Sequence, residues 1–421
     1  MKRSLRIPSA LLSVGLVAAL TAATPSTAAA PAPSAAKVVK TSFALGASGF
    51  GSVARGGDIP VSSGEATAYQ SIGCTNRAGV NRTNYVAEAT LPGIGNVTGI
   101  RTRVWTAKRG KVVSSYSTQR IAEVVIAQGA LGRLTLEGVT SQSRAFHDGS
   151  RFRTEGSSSV LKAVYKPVAG PAREVRVPSL NRPLTIPGLA TIRIGVTQSR
   201  SLRNGVRVTT DGIDIRVLPT RTRTQVAFSA AKIQSGARHG TFKGYSAGVR
   251  ASALANNVKV GRTPYLPMPC TGTQGRIATR DTAGVNLPGA ATVNALRTQQ
   301  MAKQTRRGAR MWEQGSVGRI RLGNGQVVLR GVTARATVTR NAKGRLTRSA
   351  TGTQIGALVV NGETQQIPSS GVIEIPGVLK IQEKVVQRLS AGVMVIGARI
   401  TLLDGTGAVI DIGIANAQIR R

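Results

Sequence analysis

The chain has 421 residues, 49 of them glycine and only 3% aromatic. That length holds two or three domains with proper cores, and cores so poor in aromatics are expected to be built from Val, Ile, Leu and Ala. Lys and Arg number 57 against 17 Asp and Glu, a formal net charge of +40, which favours polyanions through long-range attraction that salt screens.

Residues 1–30 read as an export signal. Lys2, Arg3 and Arg6 precede the apolar run Ala10–Ala23, and small residues around Thr27–Ala30 form a cleavage zone. The run is short for a transmembrane helix, so no transmembrane span is expected in the mature chain. No Cys follows it and no twin-arginine pair precedes it, which points to the general secretory route. Residues 31–40 (PAPSAAKVVK) read as a flexible lead-in.

From Thr41 the signals are those of strands. The runs Arg101–Ala107, Lys111–Tyr116 and Ile121–Ile126 are rich in β-branched residues, and Arg133–Val139 alternates polar and apolar residues. Asp148-Gly149, Asn204-Gly205, Asp211-Gly212, Asn324-Gly325, Asn361-Gly362 and Asp404-Gly405 are expected to make hairpin turns, because Asn-Gly and Asp-Gly tolerate positive φ. Pro178, Pro183 and Pro187 are expected at strand ends or edges. Helical periodicity is weak; its best candidate, Val293–Trp312, is interrupted by Gly308. Residues 219–239 read as a linker or an added strand.

A duplication organises the whole chain. Cys74–Thr102 and Cys270–Thr298 share 11 of 29 aligned residues without a gap, including Cys-Thr, Leu-Pro-Gly and Arg-Thr, where about two or three are expected by chance. Glu137–Thr140 then matches Arg330–Thr333, Ile186–Leu189 matches Ile375–Val378, and Gly205–Val208 matches Gly392–Val395. Upstream, Gly49-Phe50-Gly51 is set opposite Gly244-Tyr245-Ser246. The expected organisation is therefore all-β: two homologous, antiparallel β-sandwich-like domains, 41–218 and 240–421, behind the signal peptide. A Cys-Thr pair, a Leu-Pro-Gly turn and an Ile-Pro-Gly turn before valine-rich strands resemble the choice-of-anchor P family of exported actinobacterial-type proteins. The resemblance implies a β-rich surface protein of unassigned activity, with a variable C-terminal anchor. Here the chain ends in Ala415–Arg421 with no sorting motif or apolar span, so attachment by charge is expected instead of a covalent or membrane tether.

No constellation for catalysis stands out. Gly244–Gly248 fits G-x-S-x-G, but a nucleophile elbow needs a strand, a sharp turn and a helix, and Val249–Ala253 reads as strand. A glycosidase needs two facing carboxylates; Asp211, Asp214, Glu65 and Glu88 are available in the first copy, their counterparts in the second are mostly not acidic, and most carboxylates are expected to pair with arginine. His147 and His239 are the only histidines, and neither C-x-x-C, H-x-x-x-H nor Asp-x-Asp spacing occurs, so no metal site and no cofactor are expected. Specific nucleic-acid binding is not expected, because the aromatics are scattered. Lys303, Arg306, Arg307 and Arg310 make the densest basic patch, an expected anion-binding site, with a charged solvent-exposed hairpin as the plainer reading. Cys74 and Cys270 occupy equivalent places in the two copies. They either bond to each other across a pseudo-twofold contact or are small buried hydrophobes within their own copies. The expected function is non-catalytic: a secreted protein of the cell envelope that binds anionic wall polymers through basic surfaces. The alternative is a secreted enzyme acting on wall polysaccharide.

Overall fold

Alternating polarity makes strands, and strands are nearly all that the described residues form. In the computed structural model the described residues are 37–55, 66–91, 95–127, 132–177, 179, 182–219, 221–253, 258–287, 291–403, 405 and 407–421. The signal sequence, most of the lead-in, Glu65, Pro178, Asp404 and the Pro-Gly of both Leu-Pro-Gly turns lie outside them. No helix among the described residues is long and apolar enough to cross a membrane. Residues 37–421 form one compact unit.

Among the described residues fifteen strands build the first half. They are β1 (Val39–Arg55), β2 (Gln70–Ala78), β3 (Asn81–Leu91), β4 (Gly95–Arg109), β5 (Val112–Ala127), β6 (Arg133–His147), β7 (Phe152–Ser159), β8 (Lys162–Lys166), β9 (Arg173–Val175), β10 (Leu184–Ile186), β11 (Ala190–Ile194), β12 (Thr197–Leu202), β13 (Gly205–Thr210), β14 (Ile213–Val217) and β15 (Arg223–Ser235). One sheet runs β10-β11-β14-β15-β1-β2, with β13 beside β15 and β12 beside β13; the other runs β3-β4-β5-β6-β8-β9, with β7 beside β6. The second half follows with β16 (Thr241–Ala253), β17 (Val258–Pro267), β18 (Ala278–Leu287), β19 (Ala291–Thr305), β20 (Gly308–Leu322), β21 (Val327–Asn341) and β22 (Leu346–Ser349). After them come β23 (Ala357–Val360), β24 (Glu363–Gln365), β25 (Val372–Ile375), β26 (Leu379–Leu389), β27 (Gly392–Leu402) and β28 (Val409–Arg420). Its sheets run β17-β16-β28-β27-β26-β25 and β18-β19-β20-β21-β23-β24, with β22 beside β21. The second strand order repeats the first, and every ladder is antiparallel.

Within each half the two sheets face one another across an aliphatic core. Ile100, Leu134, Leu136, Ile192, Ile213 and Ile215 are fully buried in the first, and Val293, Ile320, Leu329, Ile400 and Ile412 in the second. Truncating one such Leu or Ile to Ala costs about 2–5 kcal/mol. Along β6 the period of two is plain: Leu134 and Leu136 turn inward while Arg133 stays exposed.

Bulges recur at matching places and hold the two halves in register. The ladders skip at Gly99 and again at Ala295, both of positive φ, and at Gly138 and Gly331, whose φ is 63° in each. On the facing sheets the skips fall at Gly51 opposite Ala227 and at Gly248 opposite Gly413. A Cβ on Gly51 would meet Ile100 at 2.2 Å, and one on Gly248 would meet Leu296 at 2.7 Å, so side chains of the facing sheet fill the space each glycine leaves. This pairs Gly51 with Gly248 and moves the upstream alignment by two residues from the expected one. Gly49, not Gly51, stands where Ser246 does.

Other expectations shift for local reasons. Asp211-Gly212 does not turn a hairpin: β13 and β14 both run along β15, and Gly212 N–H bonds back to Ala227 O (2.9 Å) at the interruption. Asn204-Gly205, Asn324-Gly325 and Asn361-Gly362 do join paired strands. Asp148-Gly149 does too, with the Asp148 carboxylate accepting from Ser150 and Arg151 N–H (2.9 Å each). Lys111–Tyr116 and Ile121–Ile126 belong almost entirely to the single strand β5, and Val293–Trp312 is the hairpin of β19 and β20. Residues 219–239, read as a linker or an added strand, hold β15, which pairs with β1, β13 and β14 in the middle of the first sheet.

Candidate anion-binding surfaces

The two halves meet at Cys74 and Cys270, which are joined by a disulfide with the Cα atoms 5.4 Å apart. Ala44 and Ala237 pack on it. Asn76 Nδ2 donates to Ala237 O (3.3 Å), and Thr241 Oγ1 donates to Cys74 O (3.1 Å). Cys270 O in turn accepts from Phe242 N–H (2.9 Å), which fastens the sulfur-bearing loop to β16.

Beside this seam lies a pocket of about 260 Å³, lined by Gly46, Ser48, Tyr69, Ser71, Cys74, Arg207 and Lys232 among others. The register explains it. Arg200 pairs with Arg207, Arg207 with Lys232, and Lys232 with Gly46, so three cations stand on consecutive strands and the row then loses its side chain. Lys232 lies across the bare Gly46, where a Cβ would meet its Cε at 2.7 Å. Its Nζ donates to Cys270 Sγ (3.1 Å), a weak acceptor. Burial, and then the Arg207 charge, pull the Lys232 ammonium below its usual range. In the second half the place of Gly46 is taken by Lys243, which pairs with Gln418.

The expected basic patch sits at the tip of the β19–β20 hairpin. Lys303 pairs with Arg310, Thr305 with Gly308, and Arg306-Arg307 make the turn; all four basic side chains are exposed. Gly308 also pairs with Asn341, which brings the turn beside the loop that holds Lys343 and Arg345, and Arg421 donates to Lys343 O (3.1 Å). Arg340 is spent on backbone, donating to Gly344 O and Ile419 O.

Carboxylates do little to offset this charge. Among the described residues eight cations lie within 4.0 Å of a carboxylate, and seven carboxylates supply those pairs. Asp214 holds Arg223 in a two-point fork (2.8 and 2.7 Å), while Asp211 accepts only from Gln225 (3.3 Å), and burial followed by the Asp214 charge raises its pKa. Asp411, 3% exposed, takes both Arg250 and Arg399.

Ser246 of the G-x-S-x-G segment is fully buried inside β16 and donates to Gln299 O (3.2 Å), with no strand-to-helix turn around it. It faces Glu313, which is also fully buried and whose two carboxyl oxygens have no hydrogen-bond partner among the described residues. Burial pushes the Glu313 pKa well up, against a lowering by the neighbouring Ser246 hydroxyl. His147 packs between Phe43 and Phe152, and His239 is tied by its backbone N–H to Gln304. No group of three or more His, Cys, Asp or Glu able to hold a metal occurs among the described residues. Glu88 accepts from Asn96 (3.1 Å) at the exposed surface of β3 and β4.

Sequence reasoning missed the seam pocket and the buried carboxyl. The pocket depends on Gly46 of β1 meeting Lys232 of β15, a pairing no local pattern encodes. Glu313 carried a usable signal, an acidic residue inside an otherwise apolar strand position. The chain matches no family model and no curated protein.

Proposed function

We propose that this is a secreted, non-catalytic protein of the cell envelope that binds anionic wall polymers through its basic surfaces. What carries the reading is the imbalance itself: a formal +40 in sequence, with eight cations in ion pairs among the described residues. Unpaired guanidinium groups on an exposed hairpin are fork donors for phosphate and carboxylate. Among the described residues the carboxyls of raised pKa, Asp211 and Glu313, lie in different halves, and neither lines the pocket. That separation favours a binder over an enzyme that works with paired acids. The resemblance to the choice-of-anchor P family agrees with an exported surface protein.

Retention of the purified mature protein on isolated walls is the test. Attraction between exposed charges is screened as the Debye length falls from about 10 Å at 0.1 M salt to about 3 Å at 1 M, so molar salt should strip the protein. Replacing Lys303, Arg306, Arg307 and Arg310 by Gln should lower the salt needed. Retention through the molar wash, or no binding at low salt, would overturn the proposal.

A further inference from the structure

The pocket at the seam is a different kind of site from the open basic faces. It is too small for a polymer chain to pass through, being below the usual 300–1,000 Å³ of drug-sized sites. It has polar and aromatic walls: Ser71, Tyr69 at 53% exposure, and the backbone of Gly46 and Gly73. Its two charged lining groups, Lys232 and Arg207, are both cations, and no lining residue is acidic. Like charges directly opposite each other in a ladder repel, and here three stand in succession, Arg200, Arg207 and Lys232. Moreover the Lys232 ammonium spends its hydrogen bond on a disulfide sulfur, which leaves strong donors facing a cavity without a strong acceptor.

We propose that this pocket binds one acidic sugar unit, its carboxylate or phosphate between Lys232 and Arg207 and its ring against Tyr69. The anion removes the repulsion along the row and supplies the acceptor that Cys270 Sγ supplies poorly. Tyr69 and the Ser71 hydroxyl give the ring an apolar face and a hydrogen-bonding partner, which a bare inorganic anion does not use. The site rests on the anion-binding reading for its ligand class, but it is read separately from wall retention, because one charge in so basic a chain hardly alters bulk attraction.

Titration calorimetry of the disulfide-intact mature protein, at 0.5 M salt to suppress the exposed faces, tests it with four probes: galacturonate, glucose 6-phosphate, galactose and inorganic phosphate. Galacturonate identifies a carboxylate source and glucose 6-phosphate a phosphate source; one of them should bind with unit stoichiometry and at least about tenfold more tightly than galactose or phosphate. Lys232→Ala should weaken that binding about ten- to a hundredfold, the range of a lost charge-assisted hydrogen bond. Gly46→Ala keeps the net charge but pushes Lys232 aside and should weaken it similarly, while salt-sensitive wall retention stays unchanged in both. Arg207→Gln, at an exposed position, decides the matter if either variant folds poorly. No binding of either acidic sugar, equal binding of inorganic phosphate, or indifference to Gly46→Ala and Arg207→Gln would each overturn the site. Failure here with salt-sensitive retention intact leaves the broader function standing; loss of retention with the pocket intact does the reverse.

Discussion

The middle of the first half's core is lined by hydroxyls and a carboxamide, and the matching positions in the second half hold one carboxyl among Gly and Ala. Ser117, Gln119, Ser143 and Ser229 are all fully buried in the first. Ser143 Oγ lies 3.0 Å from Ser229 Oγ and donates to Thr210 Oγ1 (3.0 Å), while Thr102 donates to Gln119 Oε1 (2.6 Å) and Ser117 to Ser48 O (2.9 Å). Aligned through the shared bulges, these four positions become Glu313, Gly315, Ala336 and Ala415, all within the second core. The same strand order therefore tolerates a hydroxyl-rich interior, in which Gln119 Nε2 has no partner among the described residues, or one of small residues around a carboxyl, because the aliphatic clusters beside it carry most of the burial. A second contrast follows the same logic. Gln225 in the first half sits where Asp411 does in the second, and only Asp411 gathers two arginines.

Cutting the seam should have the largest effect. Cys74 and Cys270 are 196 residues apart in sequence, and chain-entropy arithmetic puts a loop of that order at about 5 kcal/mol as an upper figure. Replacing both by Ser should lower the urea midpoint accordingly, and an unchanged midpoint would show that the halves do not lean on the bond. Next comes the buried carboxyl. Its folded pKa is raised, so the native state holds a proton that the unfolded chain releases above about pH 4.3, and stability falls as pH rises from there. Glu313→Gln should be more stable than the native chain by a margin that grows as pH rises above about 4.3, and no more stable near pH 3, where both states are protonated. Installing a carboxyl in the first core by Ser117→Glu should create the same pH slope; a flat profile in that variant would break the comparison.

Asp411→Ala strands two half-buried guanidinium groups and should cost about 3 kcal/mol by thermal or urea unfolding. Gln225→Ala, at the matching place, should cost about 1 kcal/mol, since it removes a single hydrogen bond. Equal costs at the two sites would deny that Asp411 organises its surroundings. The hydroxyl network should show an effect of the same small size: Ser143→Ala should lose about 1 kcal/mol, less than truncating any neighbouring isoleucine.

Much of the fold was legible because its causes are local. The alternation of Arg133–Val139 produced a strand with one wet face, and Asn204-Gly205 and Asn361-Gly362 produced hairpins, since period two and positive φ act over a few residues. Asp211-Gly212 misled for the complementary reason. Its dipeptide is turn chemistry, but the chain on either side runs along the same partner, β15, and long-range pairing overrode the local preference. The segment 219–239 was ambiguous because its basic alternation suits an exposed spacer as well as a strand, and only its pairing with β1 decides between them.

By itself, then, the sequence determined an all-β chain, a set of motifs stated twice, and a strongly cationic composition. Those properties follow from residue type and short-range spacing. Only the tertiary structure decided that Lys232 crosses Gly46 toward Cys270 Sγ, that Glu313 is sealed beside Ser246, and that Arg306 and Arg307 project beside the Lys343 loop. Each depends on the register between strands far apart in the chain, and a slip of one residue would turn every one of those side chains to the opposite face.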